Sequence, residues 1–168
     1  QTFINDYFQN NNIKGELFDT PWVNFGHNRT VAVQSAYQKA DYLLLMDADF
    51  TLIPTTPHFK HLIRYDKNLI KYKGGLDYRQ TLLVSGRMMW KYVGVTHEFI
   101  TQTEHKQKLT YGHFDGFTML HLADGGCRSD KFERDITLLE KALQYHCQSR
   151  STLTDIEQTI DTLTENVS

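Results

Sequence analysis

At 168 residues, with 40% apolar and 23% charged side chains, the chain has the make-up of one folded domain with room for a short appendage. A net charge of −2 excludes bulk electrostatic attraction to nucleic acid or to an anionic membrane, and no apolar run approaches the length of a membrane span. No signal-peptide pattern opens the sequence, and Cys127 and Cys147 stand far apart with no metal or redox spacing, so a reducing, cytoplasmic setting is the expectation.

In chain order, residues 2–11 read as a short helix with Phe3, Ile4, Tyr7 and Phe8 on one face, ended by Asn10, Asn11 and Asn12. Residues 13–18 read as a short strand weakened by Gly15, and Thr20-Pro21 as a turn. A polar, aromatic loop over 22–29 feeds a helix over 30–39, whose face Val33, Ala36, Tyr37 and Ala40 is expected to cover a sheet. Asn24, Asn28 and Arg29 sit near the start of that helix, where free N–H groups and the dipole favour an anion. Arg29 offers a fork that suits phosphate, the plain alternative being an N-cap Asn beside a solvated Arg.

The unbroken apolar run over 42–46 predicts a strand buried on both faces of a parallel sheet, and it ends in Asp47 and Asp49. Residues two apart in a strand point the same way, so both carboxylates are expected to leave the strand's C-terminal end together, where open α/β sheets bind ligands. Their mutual repulsion invites a divalent cation with a phosphate ligand, against the alternative of two acids in solvent.

After Asp49, Pro54 and Pro57 break regular structure and residues 58–65 read as a helical turn. Strands are expected over 69–72, 78–84 and 89–95, punctuated by Gly74-Gly75 and Gly86, as an antiparallel meander attached to the parallel unit. The last of these delivers His97 and Glu98 at its end. Residues 102–108 form a polar, basic loop, and 117–122 a short apolar strand carrying His121. Gly125-Gly126 allows a tight loop close to a ligand. Ser129 or Asp130 then caps a helix to about residue 146, with Phe132, Ile136, Leu139 and Leu143 on one face. A linker over 149–152 leads to a last short helix from Thr154, with Ile156, Ile160 and Leu163 on one side.

Two known patterns fit Asp47-Ala48-Asp49. The Asp-x-Asp-x-Thr of haloacid-dehalogenase-like phosphatases matches Asp47, Asp49 and Thr51, with Asp47 as nucleophile. That motif belongs on the first strand of its domain, however, and no Gly-Asp pair follows here. The second pattern has support over more of the chain. The run from Trp22 to Thr30 with Ala40 to Asp49, the block Tyr92-x-Gly94-Val95-x-His97-Glu98, and the block from Gly125 to Asp135 with its Leu138-Leu139-Glu140 helix resemble, in the same order, family 2 nucleotide-sugar glycosyltransferases of the GT-A fold. The likeness spans roughly residues 13–143 and is strongest to a branch whose catalytic domain is often followed by helical repeats.

The resemblance implies an α/β, GT-A-like (Rossmann-like) mixed sheet flanked by helices and lacking the family's first base-binding strands. It implies a partial glycosyltransferase domain over 1–147, with 148–168 as linker and C-terminal helix, and hence weak binding of UDP with Mn2+. The implied activity is metal-dependent transfer of a sugar from a nucleoside-diphosphate donor, a UDP-sugar first, to a saccharide or other acceptor hydroxyl, with inversion as the family expectation. A non-catalytic nucleotide- or carbohydrate-binding module on the same fold is the alternative. Carried over residue by residue, Asp47 lies near the donor ribose or the metal, and Asp49 holds Mn2+ or Mg2+. His121 is a third ligand or else a satisfied core histidine. Asn28 and Arg29 face the nucleotide, and Arg128 and Lys131 the diphosphate. Glu98 is the base, and His97 beside it a substrate contact or second choice, unless both end their strand in solvent. Neither nucleic acid nor an integral membrane segment is expected.

Overall fold

The segments richest in leucine, β-branched and aromatic residues become strands, and the polar runs between them become turns. The computed structural model describes residues 2–73, 78–104, 108–122 and 132–146. Its elements are α1 (Thr2–Asn10), α2 (Phe25–Ser35), β1 (Tyr42–Leu44), β2 (Phe50–Pro54), a 3-10 turn (Phe59–Leu62), β3 (Lys67–Lys73), β4 (Arg79–Ser85), β5 (Trp90–Val93), β6 (Phe99–Gln102) and β7 (Tyr111–His121). A further helix, α3, covers 132–146. The protein is therefore mixed α/β. One sheet has the order β1-β4-β3-β7-β2, and β5 and β6 form a separate hairpin. β3 and β7 run parallel, while β1–β4, β3–β4, β2–β7 and β5–β6 are antiparallel. Among the described residues no helix is long and apolar enough to cross a membrane.

The expectation for residues 42–46 needs correction. β1 is a three-residue edge strand, antiparallel to β4, and not a parallel strand buried on both faces. Leu43 is buried, but Leu44 is 38% and Met46 42% exposed, because β4 is the only strand neighbour of β1 among the described residues. β1 and β2 are the two edges of the sheet, yet only residues 45–49 join them. In a flat sheet those edges would stand about 19 Å apart, close to the roughly 21 Å that the connecting residues reach when fully extended. Residues 47–50 are not extended: Phe50 N donates to Asp47 O at 3.1 Å, closing a turn. The sheet must therefore curl, and the Asp-x-Asp segment bridges its two edges.

Two clusters form the core. Ile70, Tyr72, Leu82, Leu83, Phe114, Phe117 and Met119 pack together, with Phe50 and Phe59 at their margin. Val33 of α2 packs with Leu43, Val84, Trp90 and Ile100, so α2 and the β5–β6 hairpin cover that side. Hydrogen bonds fasten the hairpin to α2: Tyr92 N donates to Thr30 Oγ1 at 2.8 Å, and Gln34 Nε2 to Trp90 O at 3.2 Å.

Other boundaries moved for local reasons. α2 begins five residues earlier than the apolar spacing suggests, because Asn24 caps it and accepts from His27 N at 2.8 Å. Residues 13–18 form no strand; Gly15 is pressed against the Phe8 ring, and Ile13, Leu17 and Phe18 stay exposed. β2 and β6 arise where no strand was expected. Pro54 closes β2 on the sheet's edge, where a missing N–H is tolerated. The helix face Phe132, Ile136, Leu139 and Leu143 points outward, 52–79% exposed, while Asp135 on the opposite side is buried. Arg134 over the Phe25 ring at 5.0 Å, with Asp135 beside His97, sets that orientation. The expected Gly125-Gly126 loop, the cap at Ser129 or Asp130, and everything from 147 onward lie outside the described residues.

Candidate functional site

The site starts from the turn at 47–50. Because β1 stops at Leu44, Asp47 and Asp49 are no longer alternate residues of one strand, and they go to different partners. Asp47 meets Arg29, whose Nη2 reaches its carboxylate at 2.7 Å. Arg29 sits in the first turns of α2, and its Nε lies 2.6 Å from Glu98 Oε1. One guanidinium thus ties the Asp-x-Asp turn to the loop between β5 and β6, with the Tyr92 ring beneath it at 5.8 Å. Burial lowers the Arg29 pKa, but the hydrogen bond to Asp47 and the charges of Asp47 and Glu98 outweigh it, so the net direction is upward and the charge is secure. Burial pushes the Tyr92 phenol up, with Arg29 opposing.

Asp49 meets the end of β7. Its Oδ2 lies 2.7 Å from His121 Nε2, and its carbonyl accepts from Leu122 N at 3.0 Å. The imidazole stands edge-on to Phe50, which stands edge-on to Tyr72, which stacks on Tyr78 with ring centres 4.6 Å apart. These rings brace His121 from the core side. Burial, helped by Tyr78 and Asp47, pushes the Tyr72 phenol well up, so it is neutral at any working pH.

The Asp49–His121 pair passes a simple test for a divalent cation. Carboxylate and imidazole together suit Mn2+ and related metals. Cis ligands at bond lengths near 2.1 Å stand about 3.0 Å apart, so the observed 2.7 Å needs only a few tenths of opening. Asp49 and His121 are 23% and 46% exposed, so a ligand can reach them. Among the described residues no group of three or more His, Cys, Asp or Glu could hold a metal. Substrate oxygens and water could complete the coordination shell, as is common for such cations.

The loop between β5 and β6 is under backbone constraint. Gly94 has φ +111° and His97 has φ +51°. A methyl on Gly26 would lie 2.1 Å from Gly94 O, so α2 and this loop touch backbone to backbone. Glu98 points inward with its side chain 12% exposed, whereas the His97 side chain is 76% exposed. Asp135 Oδ2 lies 3.8 Å from His97 Nε2.

Of the residues singled out from sequence, Arg29, Asp47 and Glu98 come together, and Asp49 joins His121. Arg29 grips two carboxylates instead of standing open for phosphate. Asn28 uses its amide locally, accepting from Val23 N and donating to Pro21 O, both at 2.9 Å. Arg128 and Lys131 lie outside the described residues. Sequence reasoning missed Tyr72, Tyr92 and Asp135. Tyr92 and Asp135 lay within recognised blocks, but nothing in their spacing marked them. A cleft of about 360 Å3 runs from Arg29 and Tyr92 along Leu43, Leu44 and Met46 at the open edge of β1. Compared with known proteins, the chain matches no protein-family model and no curated protein.

Proposed function

We propose that this chain is a metal-dependent glycosyltransferase domain of GT-A type, moving a sugar from a nucleoside-diphosphate donor, a UDP-sugar first, to a hydroxyl of a saccharide or other acceptor. The observation that carries the reading is the Asp49–His121 pair, two residues along the chain from an Asp47 held by Arg29, which itself lines the cleft along β1. The cleft's volume lies within the range of small-ligand sites. Asp49 and His121 would hold Mn2+ or Mg2+, which when bound offsets the charge that develops on the departing diphosphate. Arg29 keeps Asp47 and Glu98 in place. His97 and Glu98, on the loop that Arg29 ties to this end of the sheet, are the candidates for taking the acceptor's proton. A non-catalytic nucleotide- or carbohydrate-binding module is the second reading, favoured by the open edge of β1, along which the cleft runs between α2 and residues 42–46. The phosphatase reading finds no support in an edge strand paired antiparallel.

The test is release of nucleoside diphosphate from a panel of UDP-, GDP- and TDP-sugars with Mn2+. Turnover is expected with at least one donor, and Asp49→Ala is expected to abolish it while circular dichroism stays unchanged. Binding of a nucleotide without turnover of any donor would favour the binding module. Full activity in Asp49→Ala would refute the metal assignment.

A further inference from the structure

Glu98 has an acid's chemistry but poor access. Its carboxylate is 12% exposed and already held by Arg29 Nε at 2.6 Å. The neighbouring His97 is the reverse case: its side chain is 76% exposed, and its backbone sits at φ +51°, a conformation a non-glycine residue holds at a cost of roughly 1 kcal/mol or more. Behind it stands Asp135, 7% exposed, on the inward face of α3 together with Leu138 and Ala142. An apolar residue would serve packing better at such a position. Among the described residues Asp135 Oδ1 is buried with no hydrogen-bond partner, and Oδ2 lies 3.8 Å from His97 Nε2. Arg134 Nη2 approaches Oδ1 at 3.6 Å. A buried carboxylate oxygen left without a hydrogen bond costs stability, and such groups concentrate at functional sites.

We propose that His97 takes the proton of the acceptor hydroxyl, and that Asp135 is the positioning residue that orients its ring. This rests on the glycosyltransferase reading. Nε2 faces Asp135, which leaves Nδ1 as the accepting nitrogen. As the acceptor oxygen bonds to the anomeric carbon, its proton passes to Nδ1. The bond from that carbon to the diphosphate oxygen breaks, its electron pair leaves with the nucleoside diphosphate, and the proton later passes to water. Glu98 then serves to fix the loop through Arg29.

The experiment is steady-state release of nucleoside diphosphate from the same sugar-nucleotide panel with Mn2+, water standing in for the acceptor. His97→Gly is expected to lower kcat about 100-fold, and added imidazole to restore part of the loss. Restoration requires a folded protein, so it separates a chemical role from a structural one; His97→Gln provides a second variant. Asp135→Asn is expected to lower kcat about tenfold with the donor KM unchanged. If the wild type turns over and His97→Gly stays within about twofold of it, the assignment of His97 falls and the glycosyltransferase reading stands. If the wild type releases no diphosphate from any donor, both fall together.

Discussion

Arg29 is a residue whose loss the structure makes costly. Arg29→Met keeps the length and apolar stem of the side chain but removes the fork, leaving Glu98 and Asp47 without their cation. Removing one partner of a buried pair costs about 3–5 kcal/mol, because the other charge stays buried and unpaired. Glu98, 12% exposed, belongs near the lower end of that range. Asp47, 40% exposed, rehydrates and adds at most about 1 kcal/mol. The expected loss is therefore about 3 kcal/mol. With an m-value near 2 kcal/mol per molar urea, the unfolding midpoint drops by about 1.5 M, and the emission of the buried Trp90 is a suitable probe. The cause can be isolated by adding Glu98→Gln to the Arg29→Met background. If the penalty is an uncompensated carboxylate, the double variant recovers at least half of the loss. A loss under about 1 kcal/mol in Arg29→Met, or a double variant no more stable than the single one, would refute the reasoning.

Gly26→Ala should reverse the usual benefit of alanine in a helix. The new methyl would meet Gly94 O at 2.1 Å, backbone against backbone, so a loss of about 2 kcal/mol and a Tm drop of about 4–8 °C are expected; an unchanged or higher Tm would contradict it. Tyr72→Phe removes a 2.8 Å hydrogen bond to Gln80 Oε1 and should cost about 1 kcal/mol at neutral pH. Its alkaline behaviour follows from burial, which raises the Tyr72 pKa. Above the usual tyrosine range near pH 10, the folded state keeps a proton that the unfolded state has lost, so stability falls as pH rises. The variant's urea midpoint should decline less steeply than the wild type's between about pH 9.5 and about pH 11; parallel slopes would count against the assignment.

The strands of the sheet were legible where apolar residues were dense, as over Lys67–Lys73 and Arg79–Ser85. The place of β1 was not legible, because the apolar run over 42–46 does not show how many strand neighbours it has. Leu44 and Met46 face outward at a sheet edge that only the fold defines. The same limit explains α3. Phe132, Ile136, Leu139 and Leu143 make a regular apolar stripe, yet contacts of Arg134 and Asp135 with Phe25 and His97 decide which face turns inward. Asp49 and His121 were each singled out from sequence, but their meeting depends on the pairing of β2 with β7, which sets Phe50 opposite His121. Tyr72 was invisible as a site residue because an aromatic in a strand reads as core, which it also is.

The two acids of the Asp-x-Asp segment therefore do different work. Had residues 42–49 formed one continuous strand, both carboxylates would have pointed into a single site as an equivalent pair. The turn at 47–50 breaks that equivalence: Asp47 is neutralised by Arg29, and Asp49 is left with an imidazole. Within this linked cluster the Arg29 guanidinium contacts two carboxylates, Asp47 and Glu98, and a third, Asp49, meets His121, whose imidazole is counted here as neutral. The excess is two negative charges, which a divalent cation would match and a diphosphate would meet with repulsion. On the proposed reading, binding of a nucleoside diphosphate here is therefore expected to depend on the metal, with Asp49 as the acid on which that dependence turns, because Asp47 already has its cation.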